Sequence, residues 1–187
     1  MNKTDEEIAL LVQKGDKEAF GVLIERYEKK IIRYGRKFLN NSADIEDLVQ
    51  EVFIKTYINI NGFNTSKRFS PWIYRIAHNE FVNALKKKKS ERLHFIDGDT
   101  VFPHIASKER ADKETDEREL RELLDKGLDH LDNKYREPLL FFYMEGMSYK
   151  DIADILQIPV STVGVRVNRG KTALQKIYKK LNLSYEQ

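Results

Sequence analysis

Cysteine is absent from this 187-residue chain, which excludes disulfide scaffolds, thiol catalysis and zinc sites with thiolate ligands. Long apolar runs are missing too: the longest, Leu139 to Met144, falls far short of the roughly 20 residues a bilayer-spanning helix needs. The four histidines, His78, His94, His104 and His130, never stand at the i, i+4 spacing of a helical metal pair. No P-loop and no nucleophile elbow occurs. His78-Asn79-Glu80 spells the H-x-E of zinc deaminases, but its P-C-x-x-C partner needs cysteine. The opening MNKTDEEIALL carries acids early, unlike a secretory or transit leader. The expectation is a soluble, cytoplasmic protein that is not an enzyme and takes no cofactor, metal or small-molecule substrate.

Charge is plentiful and unevenly spread. Residues 67–92 hold eight Lys/Arg against two acids, a net of +6, and residues 134–181 hold nine bases against four acids, a net of +5. Between them, residues 97–125 hold ten acids against five bases, a net of −5. Two basic stretches joined by an acidic one point to a polyanion touched at two places. Unpatterned solvated faces are the plainer alternative.

Glycine and proline are scarce, and apolar residues recur at helical spacing nearly throughout. Thr4-x-x-Glu7 reads as a capping box for a helix to about Gln13. Asp16 caps a second helix carrying Phe20, Leu23, Ile24, Tyr27, Ile31, Tyr34 and Phe38. Ser42 caps a third, in which Ile45, Leu48, Val49, Val52, Phe53, Thr56, Tyr57 and Ile60 follow the 3.6 period until Asn61-Gly62. Ser70-Pro71 supplies an N-cap and a first-position proline for a fourth, to about Lys89. The period fades from His94 to about Lys113, returns at Leu120, Leu123, Leu124, Leu128 and Leu131, and continues over Tyr135–Glu145 with Gly146 as stop. The expected fold is all-α, in two small helical domains, 1–95 and 114–187, joined by a flexible acidic linker, 96–113.

The segment 148–174 carries the most specific signal. Ser148-x-x-Asp151 opens a short helix to Leu156, Gln157-Ile158-Pro159 breaks it, and Ser161 or Thr162 caps a last helix to about Leu181. That is a helix-turn-helix layout. Ile152, Ala153, Ile155 and Leu156 supply one core face; Val160, Val163, Val167 and Leu174 supply the other. Arg166, Asn168, Arg169 and Lys171 are left facing outward. An arginine fork can take both acceptors of a guanine, worth ~1–3 kcal/mol of discrimination. Gly164, costing ~1 kcal/mol in a helix interior, either lets the backbone approach DNA or is merely tolerated near the helix start.

Two motif blocks resemble those of a known family. Ala43-Asp-Ile-Glu-Asp-Leu-Val-Gln-Glu-Val-Phe-Ile-Lys55, Phe69-Ser-Pro-Trp-Ile-Tyr-Arg-Ile-Ala-His-Asn79 and Lys86–Lys89 resemble the second conserved region of the sigma-70 family. Leu131-Asp-Asn-Lys-Tyr-Arg-Glu-Pro-Leu139 and Tyr149–Val163 resemble its fourth. With these two regions alone, the chain is similar to the extracytoplasmic-function (ECF) sigma factors, over about residues 5–95 and 114–181.

On helix 44–60, Asp44, Asp47 and Glu51 fall at i, i+3, i+7 with Gln50 beside them, an acidic face suited to a basic partner. The resemblance implies that it holds the β′ clamp helices of core RNA polymerase. On helix 71–89, Trp72, Arg75, Asn79, Asn83 and Lys86 share one stripe. Rings hold bases, amides read their edges and cations hold phosphates. The loop Gly62–Ser70, with Phe63, Asn64, Lys67, Arg68 and Phe69, can close over a base turned out of the stack. The resemblance implies recognition of the −10 promoter element there, with the flipped-base role carried to Asn79, Phe63 and Ile76. Trp72 either joins this site or packs in the bundle, with the core favoured.

For the last helix the resemblance implies −35 recognition in the major groove by Ser161, Thr162, Gly164, Arg166, Asn168, Arg169 and Lys171. Many family members carry Arg or Lys where Gly164 stands, so the element's sequence stays open. The run Leu139–Met144 is implied to seat on the β flap, and the acidic linker to thread past the polymerase active site. An anti-sigma factor is a further expected partner, holding the chain at the membrane in many ECF members. A stand-alone helix-turn-helix repressor or activator remains the alternative; its mark is a dimerisation face and palindromic sites, and no coiled-coil heptads occur.

Overall fold

A computed structural model describes the backbone of residues 3–93 and 127–181, with side chains through 88 and through 180. The chain divides into two compact units, Met1–Asp99 and Thr100–Gln187. The described residues are helical in both and form no strand. The expected linker 96–113, Leu120, Leu123, Leu124, His94 and His104 and the side chain of Lys89 lie outside the described residues.

Among its described residues the first unit has four α-helices: α1 (Asp5–Gln13), α2 (Ala19–Gly35), α3 (Ser42–Asn59), continued by a 3-10 turn Ile60–Gly62, and α4 (Phe69–Leu93). The Thr4/Glu7 capping box closes on both sides: the Glu7 amide donates to Thr4 Oγ1 at 3.2 Å and the Thr4 amide to Glu7 Oε2 at 2.8 Å. Asp16 accepts the Ala19 amide at 3.1 Å, although regular α-helix begins three residues after it. Asn41, rather than Ser42, is the N-cap of α3, accepting the Ala43 amide at 2.9 Å. Its carboxamide oxygen makes the bond expected of the serine hydroxyl one residue later.

α4 also starts earlier than Ser70-Pro71 predicts. Its first residue is Phe69, whose amide donates to Glu6 Oε1 on α1 at 2.8 Å. A carboxylate near a helix N-terminus satisfies an orphan donor and meets the positive end of the dipole, and this one arrives from another helix.

The apolar stripes converge where the periodicity placed them. Leu23, Ile31, Tyr34, Val52, Ile73, Tyr74, Ala77 and Phe81 are fully buried. Tyr34 meets Tyr74 and Phe81 edge-on at 5.6 and 5.9 Å, and Phe38 stacks on Phe81 at 5.7 Å. Truncating a ring such as Phe81 to alanine would cost about 3–5 kcal/mol. α2 approaches this cluster at Gly35, where an added Cβ would lie 2.5 Å from the Phe81 ring. Tyr57, expected in the core stripe, is instead exposed and only edges onto Phe20 at 5.1 Å.

In the second unit, α5 (Asn133–Leu139) passes into a π turn, Leu140–Met144, and is followed by α6 (Tyr149–Leu156) and α7 (Val160–Leu181). Asp132 caps α5 through the Lys134 amide at 3.1 Å, so the helix begins two residues before the expected Tyr135. The Arg136 guanidinium donates to the Leu128, Asp129 and Leu131 carbonyls at 2.8, 3.0 and 2.7 Å, satisfying acceptors at the end of the preceding helical turn. Gly146 ends the π turn at φ +59°.

The Ser148/Asp151 capping box forms as expected. Gln157 adopts the left-handed conformation, φ 54° and ψ 45°, which turns the chain into Ile158-Pro159. Because the Val163 amide already bonds to the Pro159 carbonyl at 3.1 Å, α7 starts at Val160. Ser161 and Thr162 therefore lie in its first turn and are not caps. Ile152, Ile155, Val163, Val167 and Leu174 are buried, while Val160 is 48% exposed and turns out of the expected core face.

Candidate nucleic-acid and polymerase interface

α3 presents one long outward stripe. From Asp44 the steps i+3, i+7, i+10 and i+14 give Asp47, Glu51, Ile54 and Ile58. Asp47 and Gln50 are exposed, Asp44 and Glu51 half-buried. Asp44 pairs with Lys88 of α4. Glu51 lies 3.5 Å from Lys55, which also donates to Glu80 at 2.6 Å. The hydrogen bond to Glu80 raises the Lys55 pKa above the ordinary lysine value and keeps the ammonium charged. Ile54 and Ile58 are 53% and 68% exposed, so the acidic face continues into an apolar one. Nothing in the sequence reading singled them out, although their spacing, four apart and off the buried stripe, carried the signal.

The loop from the 3-10 turn to α4 is pinned at both ends by α1. Gln13 Nε2 donates to the Ile60 and Phe63 carbonyls at 2.7 and 2.8 Å, and Glu6 holds the Phe69 amide. Inside the loop, Asn64 Oδ1 accepts the Ser66 amide at 2.9 Å and the Ser66 hydroxyl at 2.8 Å. That is an Asx turn, so the side chain of Asn64 shapes the loop, its oxygen already taken. Lys67 and Arg68 are exposed.

Phe63 and Phe69 require a correction. They are 6% and 0% exposed, their rings 5.4 Å apart, with Phe69 edge-on to Tyr27 at 5.5 Å. Buried rings offer no face to a base; they form the floor that fixes the loop. Trp72 is half-buried, its ring 5.0 Å from Phe63 and 5.6 Å from Phe69. It is thus neither the fully packed core residue favoured from sequence nor a free platform.

Along α4, Arg75, Asn79, Asn83 and Lys86 are all exposed and Ile76 is half-buried. The i, i+4, i+8, i+11 spacing keeps the first four on one side of the helix. Ile73, Tyr74, Ala77 and Phe81 bury the opposite side, which fixes the orientation of the polar stripe. His78, between the two, exchanges a hydrogen bond with the Tyr34 hydroxyl at 3.0 Å.

In the second unit, α7 seats Val163, Val167 and Leu174 inward, with Gly170 allowing close approach to α5: a Cβ there would lie 2.8 Å from Leu139 Cδ1. Ser161, Asn168, Arg169 and Lys171 are exposed, Thr162, Gly164 and Arg166 half-buried. Arg166, three residues from Val163, sits on the flank of the buried stripe, so its reach outward is less direct than sequence spacing suggested. Val165 is 50% exposed. A Cβ on Gly164 would meet the Tyr149 ring at 3.5 Å, an ordinary contact, so no crowding demands glycine there. Of the run Leu139–Met144, Leu139, Leu140 and Phe141 are buried, Phe142 and Met144 half-buried and Tyr143 exposed at 47%. Only its second half can meet a partner.

No group of residues suited to hold a metal ion occurs among the described residues, and no described helix is long and apolar enough to cross a membrane.

The family model described as Sigma-70 region 2 matches residues 23–91, and that described as Sigma-70, region 4 matches residues 121–174. The ECF RNA polymerase sigma factor SigW of Bacillus subtilis (strain 168) is 34% identical over 173 residues, covering 88% of this chain and 91% of SigW. Two solved structures share the fold. CnrH, solved in complex with the cytosolic domain of CnrY, superposes with a TM-score of 0.66 at 22% identity, over 95% of this chain and 99% of that chain. The sigma factor RpoE of Bartonella quintana, solved in complex with the anti-sigma factor NepR, gives 0.65 at 23%, over 86% and 96%. With both conserved regions present in order on two helical domains, the chain belongs to the ECF group of the sigma-70 family of RNA polymerase sigma factors.

Proposed function

We propose that this chain binds core RNA polymerase in the cytoplasm, selects promoters through its two helical domains, and holds the −10 element melted while transcription starts. It performs no covalent step. The observation that supports this reading best is the exposed stripe Arg75, Asn79, Asn83 and Lys86 on α4, beside a loop pinned at both ends by Gln13 and Glu6. A rigid rim of that composition suits a single strand, its cations on phosphates and its amides on base edges. Turning a base out of the stack costs a few kcal/mol. Asn79 and Ile76, over the floor made by Phe63, Phe69 and Trp72, offset that cost, with Lys67, Arg68 and Lys86 on the backbone.

On α3, Asp47, Gln50 and Glu51 together with Ile54 and Ile58 form the docking face for the β′ clamp helices. Asp44 contributes after exchanging its Lys88 partner. In the second unit, α7 enters the major groove at the −35 element, with Arg169 on a guanine edge and Arg166 and Lys171 near phosphates. Tyr143, with Phe142 and Met144, meets the β flap. Bartonella quintana RpoE is solved with an anti-sigma factor; a protein of that kind covering these surfaces is the expected regulator here, and anchors the chain at the membrane if it is itself membrane-bound.

Reconstitution tests the reading. The full chain added to core polymerase should give selective transcripts from a genomic promoter pool, and Arg169→Ala should lower selectivity among −35 variants. A chain that ignores core polymerase and binds palindromic duplexes as a dimer refutes it.

A further inference from the structure

The outward face of α7 is not uniformly basic. Opposite the buried line Val163, Val167 and Leu174 stand Ser161, Val165, Asn168 and Thr172, all exposed. Arg169, one turn from Val165, stands on the same outward face, while Arg166 and Lys171 lie further round to either side. Flanking cations reach phosphates on the two walls of a groove, while the centre of the helix faces the base edges. At that centre is a valine half open to water, in a helix that hides Val163 and Val167 and leaves Val160 open at its first position. An exposed β-branched residue there costs helix propensity and gains nothing from the fold.

Among base edges, one group rewards an aliphatic side chain: the C5-methyl of thymine. The carboxamide that pairs in two places with a base edge, Asn168, takes the N6 and N7 of adenine. Val165 and Asn168 are three residues apart and so neighbours on the helix surface. Thr172, one turn beyond Asn168, is exposed and bonds back to the Asn168 carbonyl at 3.2 Å.

We infer that Val165 and Asn168 determine −35 specificity, Val165 by contact with a thymine methyl and Asn168 by pairing with an adenine, so that the element read by this chain contains adjacent A·T pairs. The inference rests on α7 being the −35 reader. Arg166 and Lys171 supply affinity on the phosphates; Val165 and Asn168 choose the A·T pairs beside the guanine taken by Arg169.

The test needs no change to the fold. Holoenzyme made from the full chain and core polymerase selects its −35 sequence from a randomised library. Each thymine of the selected element is then replaced by deoxyuridine, which removes only the methyl, and each adenine by 7-deazaadenine, which removes only N7. At one thymine, wild-type holoenzyme should lose roughly fourfold in affinity, the worth of one buried methyl. Val165→Ala should bind the thymine and deoxyuridine duplexes equally. Asn168→Ala should become indifferent to one 7-deazaadenine while keeping the methyl response. If the selected element shows sequence preference but no thymine responds to deoxyuridine, or if Val165→Ala responds as the wild type does, the assignment is overturned while the −35 role of α7 stands. If no sequence preference emerges upstream, both fail.

Discussion

Glu6 Oε1, in the first turn of α1, accepts the backbone amide of Phe69, the first residue of α4, at 2.8 Å across 63 positions of sequence. One bond therefore couples the N-terminal helix to the start of the helix assigned to DNA. Gln13, two turns further along α1, holds the other end of the same loop through the Ile60 and Phe63 carbonyls.

This makes α1 a positioning element. Glu6→Ala should lower stability by about 1 kcal/mol, the ordinary net worth of such a bond, and Gln13→Ala, which removes two, by about 2 kcal/mol, as read from urea unfolding of the full chain. Both should impair open-complex formation, seen by permanganate footprinting, while binding of core polymerase stays near wild type. Loss of core binding in parallel would show that the bonds serve the whole domain and not the loop.

Asn79 is exposed, so Asn79→Ala should leave stability within about 0.5 kcal/mol. Promoter melting should fall at least tenfold with closed-complex formation little changed. Equal loss at both stages removes Asn79 from the flipped-base role.

The docking face proposed on α3 mixes charge and hydrophobe. Reversal of Asp47 and Glu51 to lysine should weaken core association and make the residual binding less sensitive to salt. Ile54→Ser with Ile58→Ser should also weaken it, but through a faster off-rate. Surface plasmon resonance on immobilised core polymerase separates the two effects, and undiminished capture of core by both variants rejects the face.

Two glycines on helices should respond oppositely. Gly35→Ala drives a methyl to 2.5 Å from Phe81, an overpacking worth about 1–3 kcal/mol of destabilisation. Gly164→Ala meets only the Tyr149 ring at 3.5 Å, so it should be neutral or stabilising by up to about 1 kcal/mol. Thermal unfolding of the two variants decides.

Tyr27 predicts an alkaline limit. Burial, reinforced by its hydroxyl bond to Asp5 at 2.6 Å, raises its pKa well above the ordinary 10.0. The folded state holds that proton more tightly than the unfolded chain, so the contribution is complete below pH 10 and drains away as pH climbs above it. The unfolding midpoint of the first domain should fall across that range, and Tyr27→Phe should flatten the fall. An unchanged slope in the variant would assign the alkaline loss to other groups.

Much was legible because it is local. The Thr4/Glu7 and Ser148/Asp151 capping boxes span three residues each, and the 3.6 period that buries Leu23, Ile31, Val52 and Phe81 is written along single helices. The three-residue break at Gln157 to Pro159 is equally local. The polar stripe of α4 could be read for the same reason: once its apolar side is known, the other side is fixed.

What sequence could not carry was the contact between distant segments. Phe63 and Phe69 sit in a polar, basic loop, where an aromatic ring reads naturally as a platform for a base. Only the packing of α2, which brings Tyr27 against Phe69, makes them floor. Ser70 has the chemistry of an N-cap, yet Glu6 reaches the preceding amide first, and no periodicity reveals a partner 63 residues away. Local hydrogen bonds and helical period depend on neighbours a few positions apart, so the residue order alone determined the helices, the turn between α6 and α7, and the family. Burial depends on which faces meet, so the tertiary structure alone decided that Val165 and Ile58 are open to a partner while Phe63 and Phe69 hold the site in place.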